Sequence, residues 1–169
     1  MTNTDTTTMM TALAAPFAGN KIHWRPGSTT KDKSKAIALA YIDARDVMER
    51  LDEVVGPENW QREHTVDGKF VMCRIGIELH DAVAHGVSNW VWKQDGAPVT
   101  DIEAEKGGLS DAFKRAAVNW GVGRYLYDTP DAWMPLEARG RSYVFGKDTI
   151  AKLNAAMDKW TKTLTKETE

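Results

Sequence analysis

Lys106, Lys114, Arg115 and Arg124, followed by Tyr125 and Tyr127, have the types and spacing to hold a polyanion. Lys106 and Lys114 are eight positions apart, which on a helix sets them roughly 80° from each other and about two turns along the axis. Arg115 is the next position round, and Arg124 follows on a glycine-interrupted segment with the tyrosines. Cations hold phosphates, while rings and guanidinium planes stack on bases. This is the chemistry of a groove for single strands, and equally that of an ordinary solvated helix face, which carries Lys and Arg routinely.

Other chemistries fit less well. The run Glu103-Ala104-Glu105-Lys106 places carboxylates beside a lysine, the residue types of a metal-dependent nuclease. That chemistry needs the carboxylates on a strand with an acidic partner nearby, so that metal ligands converge on a phosphate. Here the run opens a helix, so a nuclease or strand-processing enzyme using Glu103, Glu105 and Lys106 stands as the alternative. His23, His64, His80 and His85 are scattered, without paired spacing for a metal. There is no P-loop, and the acidic face of Asp43, Asp46, Glu49, Asp52 and Glu53 reads as solvated. Gly107 and Gly108 each cost about 1 kcal/mol against alanine inside a helix. They imply either tight helix packing or room for a nucleic-acid backbone.

The element that must carry these cations is a helix over 100–128. Thr100 and Glu103 have the spacing of a capping box, and Asp101, Glu103 and Glu105 suit the positive end of the helix dipole. Leu109, Phe113, Ala116, Ala117 and Trp120 recur at helical spacing and define a core stripe. An earlier helix is predicted over 35–55, with Ile37, Tyr41, Ala44, Met48, Leu51 and Val55 near one face and Gly56-Pro57 ending it. Strands are predicted over 60–66, 69–80 and 83–93, the first pair joined at Asp67-Gly68. Gly76 marks a bulge or a close backbone approach, and Arg74 points away from the buried face.

The order helix, three-stranded antiparallel meander, long helix is an α+β pattern with the sheet carrying a helix on one face. A C-terminal amphipathic helix from about residue 147 repeats Ile150, Leu153, Met157, Trp160 and Leu164. It covers either its own domain or a neighbouring subunit. Residues 1–20 read as a disordered arm, 21–136 as the core and 137–169 as an extension. Trp24 anchors the arm, and Trp133 and Met134 of a proline-containing connector dock on the body.

The chain has 169 residues and a net charge of −2, so nucleic-acid contact must come from a local basic patch. Its one cysteine, Cys73, lies among apolar strand residues and reads as a buried thiol. No apolar run is long enough for a membrane helix, and the Thr-rich start lacks the regions of a signal peptide. The expected location is the cytoplasm.

The segment LSDAFKRAAVNWGVGRYLYD, preceded by EKGG, resembles the signature helix of the Rad52/Rad22 family of single-strand annealing proteins, particularly the short bacteriophage and prophage forms. AYIDARDVMERLDEVVGPENW resembles the family's opening helix, and GKFVMCRIGIEL stands where its central strand does, so the likeness spans 41–127. The resemblance implies a β-β-β-α core assembled into a homo-oligomeric ring or helical filament, with single-stranded DNA in an outer basic groove. It implies strand annealing in recombination and double-strand break repair inside a bacterial host, without nucleotide hydrolysis, covalent chemistry or a cofactor. It further implies a single-strand binding protein or a phage exonuclease as partner.

By the same resemblance Lys114 and Arg115 match the paired groove cations, and Lys106 a basic position that serves a secondary DNA contact. Two positions depart from the pattern: Val118 stands where a further arginine is expected, and Asp46 where the opening helix is basic. Arg45, Arg74 and Arg124 are the candidates to compensate.

Overall fold

Leu79 and Asn89 close the register of a long antiparallel ladder built from alternating apolar residues. The computed structural model describes residues 3–79, 89–98 and 104–166. The elements are α1 (Asn3–Ala14), β1 (His23–Thr29), β2 (Lys35–Tyr41), α2 (Ala44–Val55), β3 (Trp60–Asp67), β4 (Phe70–Leu79) and β5 (Asn89–Pro98). They continue as α3 (Ala104–Asn119), β6 (Trp133–Pro135), β7 (Glu137–Arg139), β8 (Ser142–Val144) and α4 (Lys147–Lys166). The fold is α+β, and the chain divides into two compact units, residues 1–15 with 43–124, and residues 16–42 with 125–169.

In the first unit β3, β4 and β5 form an antiparallel sheet in that order. Val71, Cys73, Ile75 and Ile77 of β4 are buried on one face, and α3 packs against β4 and β5. Alternation in a strand fixes both faces at once. The register pairs Arg62 and Lys93 with Ile75, and His64 and Asp95 with Cys73, so these four share the helix-covered face. Arg74 pairs with Glu63 and Gln94 on the other face. The helix contributes Ala112, Phe113, Ala116, Ala117 and Trp120, all buried. The Trp120 indole N–H donates to the Ile75 carbonyl at 3.1 Å, so the largest buried ring also satisfies its polar handle.

Several sequence expectations change. Leu109 is 39% exposed rather than part of the stripe. Gly108 is buried in its place, and a Cβ there would stand 3.1 Å from Val71. The close approach of α3 to β4 means that a side chain at this position crowds Val71. The long helix ends at Asn119, because Gly121 and Gly123 adopt φ of 95° and 68°, values that glycine reaches without a steric cost. A 3-10 turn, Arg124–Asp128, follows.

The first hairpin turns at Gly68-Lys69, one residue later than expected, with Asp67 paired to Phe70. The third strand runs Asn89–Pro98; residues 83–88 of the expected strand lie outside the described residues, as do His80, His85 and the Thr100–Glu103 capping box. Gly76 makes the close approach anticipated for it: a Cβ would stand 2.9 Å from the Trp92 ring.

The stretch predicted as one helix over 35–55 is a strand followed by a helix. Ala36 and Ala38 are buried in β2, which pairs with β1 on one side and β6 on the other. Alanine gives little β signal, and strand pairing overrides its helical preference. The helix α2 begins only after Asp43, whose backbone N–H donates to the Asp46 carboxylate at 2.9 Å. Asp46 is thus occupied at the start of α2 and is 7% exposed.

The Thr-rich segment read as a disordered arm forms α1, with Met9 and Leu13 buried. Arg50 of α2 donates to the carbonyls of Ala12, Leu13 and Ala15 at 3.2, 3.2 and 2.6 Å. Ala12 and Leu13 sit in the last turn of α1 and Ala15 just past it, where carbonyls run short of intrahelical partners. A distant arginine therefore ends a helix that its own sequence marks poorly.

In the second unit β1, β2 and β6 form a sheet, and β7 pairs with β8. Ala36, Ala38, Phe145 and Leu153 make its core, with Trp24, Met134 and Ile150 packed around them. The C-terminal helix therefore covers its own unit through Leu153. Trp24 anchors β1 as expected, its indole N–H donating to Asn154 at 2.8 Å. Met134 docks, whereas Trp133 remains 48% exposed. No described helix is long and apolar enough to cross a membrane.

Candidate nucleic-acid interface

The C-terminal end of α3 gathers positive charge against the edge of β5. A helix C-terminus carries unpaired carbonyls and the negative end of the dipole, so cations settle there. The Arg124 guanidinium donates to the Val118 carbonyl through Nε at 3.0 Å and a terminal nitrogen at 2.8 Å, and to the Asn119 carbonyl at 3.0 Å. Lys93 of β5 donates through Nζ to the same Asn119 carbonyl at 3.0 Å and lies 4.3 Å from the centre of the Trp120 ring. The Asn119 side chain donates to the Gln94 carbonyl at 3.0 Å, fastening the helix end to the strand. Burial lowers the Lys93 pKa, and the positive charge of Arg124 lowers it further.

One turn back along α3, Arg115 is exposed and reaches Asp95 of β5, with Nε at 3.3 Å and a terminal nitrogen at 3.2 Å. The same Asp95 oxygen accepts the Gly96 amide at 2.7 Å. Lys114, beside it, is half-buried. On the sheet below, Arg62 lies 4.6 Å from the centre of the Phe113 ring, and the Trp60 ring stacks against Phe113 with centroids 6.2 Å apart. Cations over aromatic faces are held in place without a carboxylate.

The structure therefore brings Arg115, Arg124 and Lys93 to one seam between α3 and β5. It does not bring Arg74 there. Arg74 is on the opposite face of the sheet, 2.7 Å from Glu63 and 4.4 Å from the centre of the Trp92 ring. Arg45 is exposed in the first turn of α2. Lys106 is on the helical backbone of α3, with its side chain outside the described residues. Glu105 is likewise helical, and Glu103 lies outside the described residues. The Tyr125 hydroxyl accepts the Phe17 amide at 3.0 Å, and its ring lies beside Trp160 with centroids 6.1 Å apart. Tyr127 is 70% exposed.

Sequence reasoning missed Lys93 and Arg62. Both sit one register step from β4's buried Ile75, so strict alternation across the sheet would have placed them under the helix.

Residues 5–145 match the family described as Rad52/22 family double-strand break repair protein. The chain is 39% identical over 131 residues to the single-stranded DNA-binding protein DdrA of Deinococcus deserti, covering 72% of this chain and 58% of that protein. It is 37% identical over 123 residues to the DdrA protein of Deinococcus radiodurans, covering 72% of this chain and 55% of that one. The chain thus spans somewhat more than half the length of these curated relatives.

Proposed function

Because the chain belongs to the Rad52/22 family of double-strand break repair proteins, we propose that it binds single-stranded DNA and anneals complementary strands. In this reading α3 presents Lys114 and Arg115 to the phosphates, with Arg124 continuing the line and Lys106 making a secondary contact. The bases stay accessible, and pairing energy drives the product, so no nucleotide hydrolysis and no covalent step is needed. The working form is a homo-oligomeric ring or filament. The observation that carries the reading is the convergence of cations on the α3–β5 seam, where Arg115 of α3 pairs with β5 and Lys93 of β5 meets Arg124 on the carbonyl that ends α3. The DdrA relatives, named as single-stranded DNA-binding proteins, support the choice of ligand.

The nuclease alternative loses ground because residues 104–106 are helical; a strand is what would converge carboxylates on a metal.

Fluorescence anisotropy with a labelled oligothymidine tests the site. Lys114→Ala with Arg115→Ala should weaken binding and make log K less steep against log salt by about 1.4, at roughly 0.7 per lost phosphate contact on single strands. Unchanged affinity, with a native circular-dichroism spectrum, would remove the site assignment. Labelled DNA incubated with Mg²⁺ should stay intact, and electron microscopy with and without DNA reports the assembly.

A further inference from the structure

A separate positive surface lies in the second compact unit, remote in sequence from α3. Two hairpin tips make it. Lys31 and Lys33 are in the β1–β2 turn with Lys35 at the start of β2, and Arg139 ends β7 with Arg141 in the β7–β8 turn, all exposed. The two tips meet where Lys33 Nζ stands 5.4 Å from the centre of the Tyr143 ring. Tyr143 is 42% exposed, leaving ring surface for a further stack. In a chain of net charge −2, five cations on two adjoining hairpins are a local concentration.

The acid inside the β1–β2 turn is exposed but already engaged by its own turn. Asp32, the only acid within the β1–β2 turn, accepts from the Thr30 hydroxyl at 2.6 Å, the Ser34 hydroxyl at 2.9 Å and the Ser34 amide at 3.1 Å. Those bonds, the Thr30 hydroxyl foremost, hold its carboxyl down at about 2. Glu137 lies against the Gly146 backbone at the foot of the other hairpin. The turn is also fixed in shape. Lys33 adopts φ of 56°, a left-handed conformation uncommon for a lysine, and its amide donates to the Thr30 carbonyl at 2.9 Å. Gly140, at φ of 61°, closes the second tip between its arginines. The cations are thus presented on short, closed turns rather than on a loose loop, which lowers the ordering cost of gripping a ligand.

We propose that these two tips form a second surface for single-stranded nucleic acid, gripping phosphates through Lys31, Lys33, Lys35, Arg139 and Arg141 and stacking a base on Tyr143. Cations on short turns beside a partly open ring are the pairing that strand grooves use. An annealing protein must manage a second strand as well as the first, and this surface supplies a place for it outside α3.

The test uses the full chain and a labelled oligothymidine. Lys33→Asn tolerates the positive φ, and Arg139→Gln with Arg141→Gln keeps the hairpin while removing charge. The triple variant should make the salt dependence of log K shallower by about 2, at roughly 0.7 per phosphate contact. In the wild-type chain, bound oligonucleotide should protect Lys31, Lys33 and Lys35 from acetylation, read by mass spectrometry. A wild-type salt slope in a natively folded triple variant would overturn the proposal, as would equal acetylation with and without DNA. If the α3 double variant loses affinity while the triple variant does not, the α3 site stands and this second surface falls. If the wild-type chain binds no strand, both fall.

Discussion

The guanidinium of Arg124 rests on the carbonyl of Val118, with nitrogens at 3.0 and 2.8 Å. Position 118 is where the resemblance expects an arginine, and six residues later in the chain an arginine folds back onto it. The positive φ of Gly121 and Gly123 makes the reversal possible.

Arg124→Lys should keep the charge but lose the fork that spans both carbonyls. Its strand affinity should fall modestly with the salt slope preserved, whereas Arg124→Ala should lower the slope by about 0.7 and cost about 1 kcal/mol of stability through the uncapped helix end. Parallel salt titrations and thermal melts distinguish the two. A melt and slope unchanged in Arg124→Ala would show that the geometry serves neither role.

Asp95 holds Arg115 at 3.2 Å in a pair whose side chains are 45% and 35% exposed. Such pairs contribute roughly 0–1 kcal/mol to stability. Asp95→Asn should therefore leave the fold nearly as stable while releasing Arg115 toward phosphate, tightening strand binding by about a few-fold at low salt. Weaker binding in this variant would mean that Asp95 positions Arg115 for its ligand.

Gly107 and Gly108 are adjacent but not equivalent. A Cβ on Gly107 meets nothing within 4 Å, while one on Gly108 would stand 3.1 Å from Val71. Gly107→Ala should stabilise the protein by about 1 kcal/mol through helix propensity, and Gly108→Ala should gain less or lose stability through crowding. Urea unfolding measures both. If Gly107→Ala also weakens DNA binding, a strand backbone approaches that glycine.

Cys73 is 0% exposed, and burial pushes its thiol from 9.0 up to about 11. A raised pKa for an acid means that the folded state resists ionisation. Its contribution to stability is complete below pH 9.0 and is lost as pH rises toward about 11. Native protein at neutral pH should therefore leave iodoacetamide unreacted until denaturant is added. Rapid labelling of folded protein would contradict the burial.

The α+β order, the meander, the position of Arg74 and the Phe113–Trp120 stripe were legible in the residues, because alternation and helical periodicity are local and strong there. So was the C-terminal helix, whose apolar repeat sets five anchors over about four turns from Ile150 to Leu164. What eluded local reading depended on partners distant in the chain. Alanine-rich β2 becomes a strand only because β1 and β6 flank it, and α1 has a defined end because Arg50 takes its last carbonyls. The paired cations Lys114 and Arg115 were marked by resemblance and sequence. Only folding decided that Lys93 joins Arg124 on one carbonyl while Arg74 goes to the far face, since strand parity and a chain reversal, not spacing along the sequence, set which charges meet.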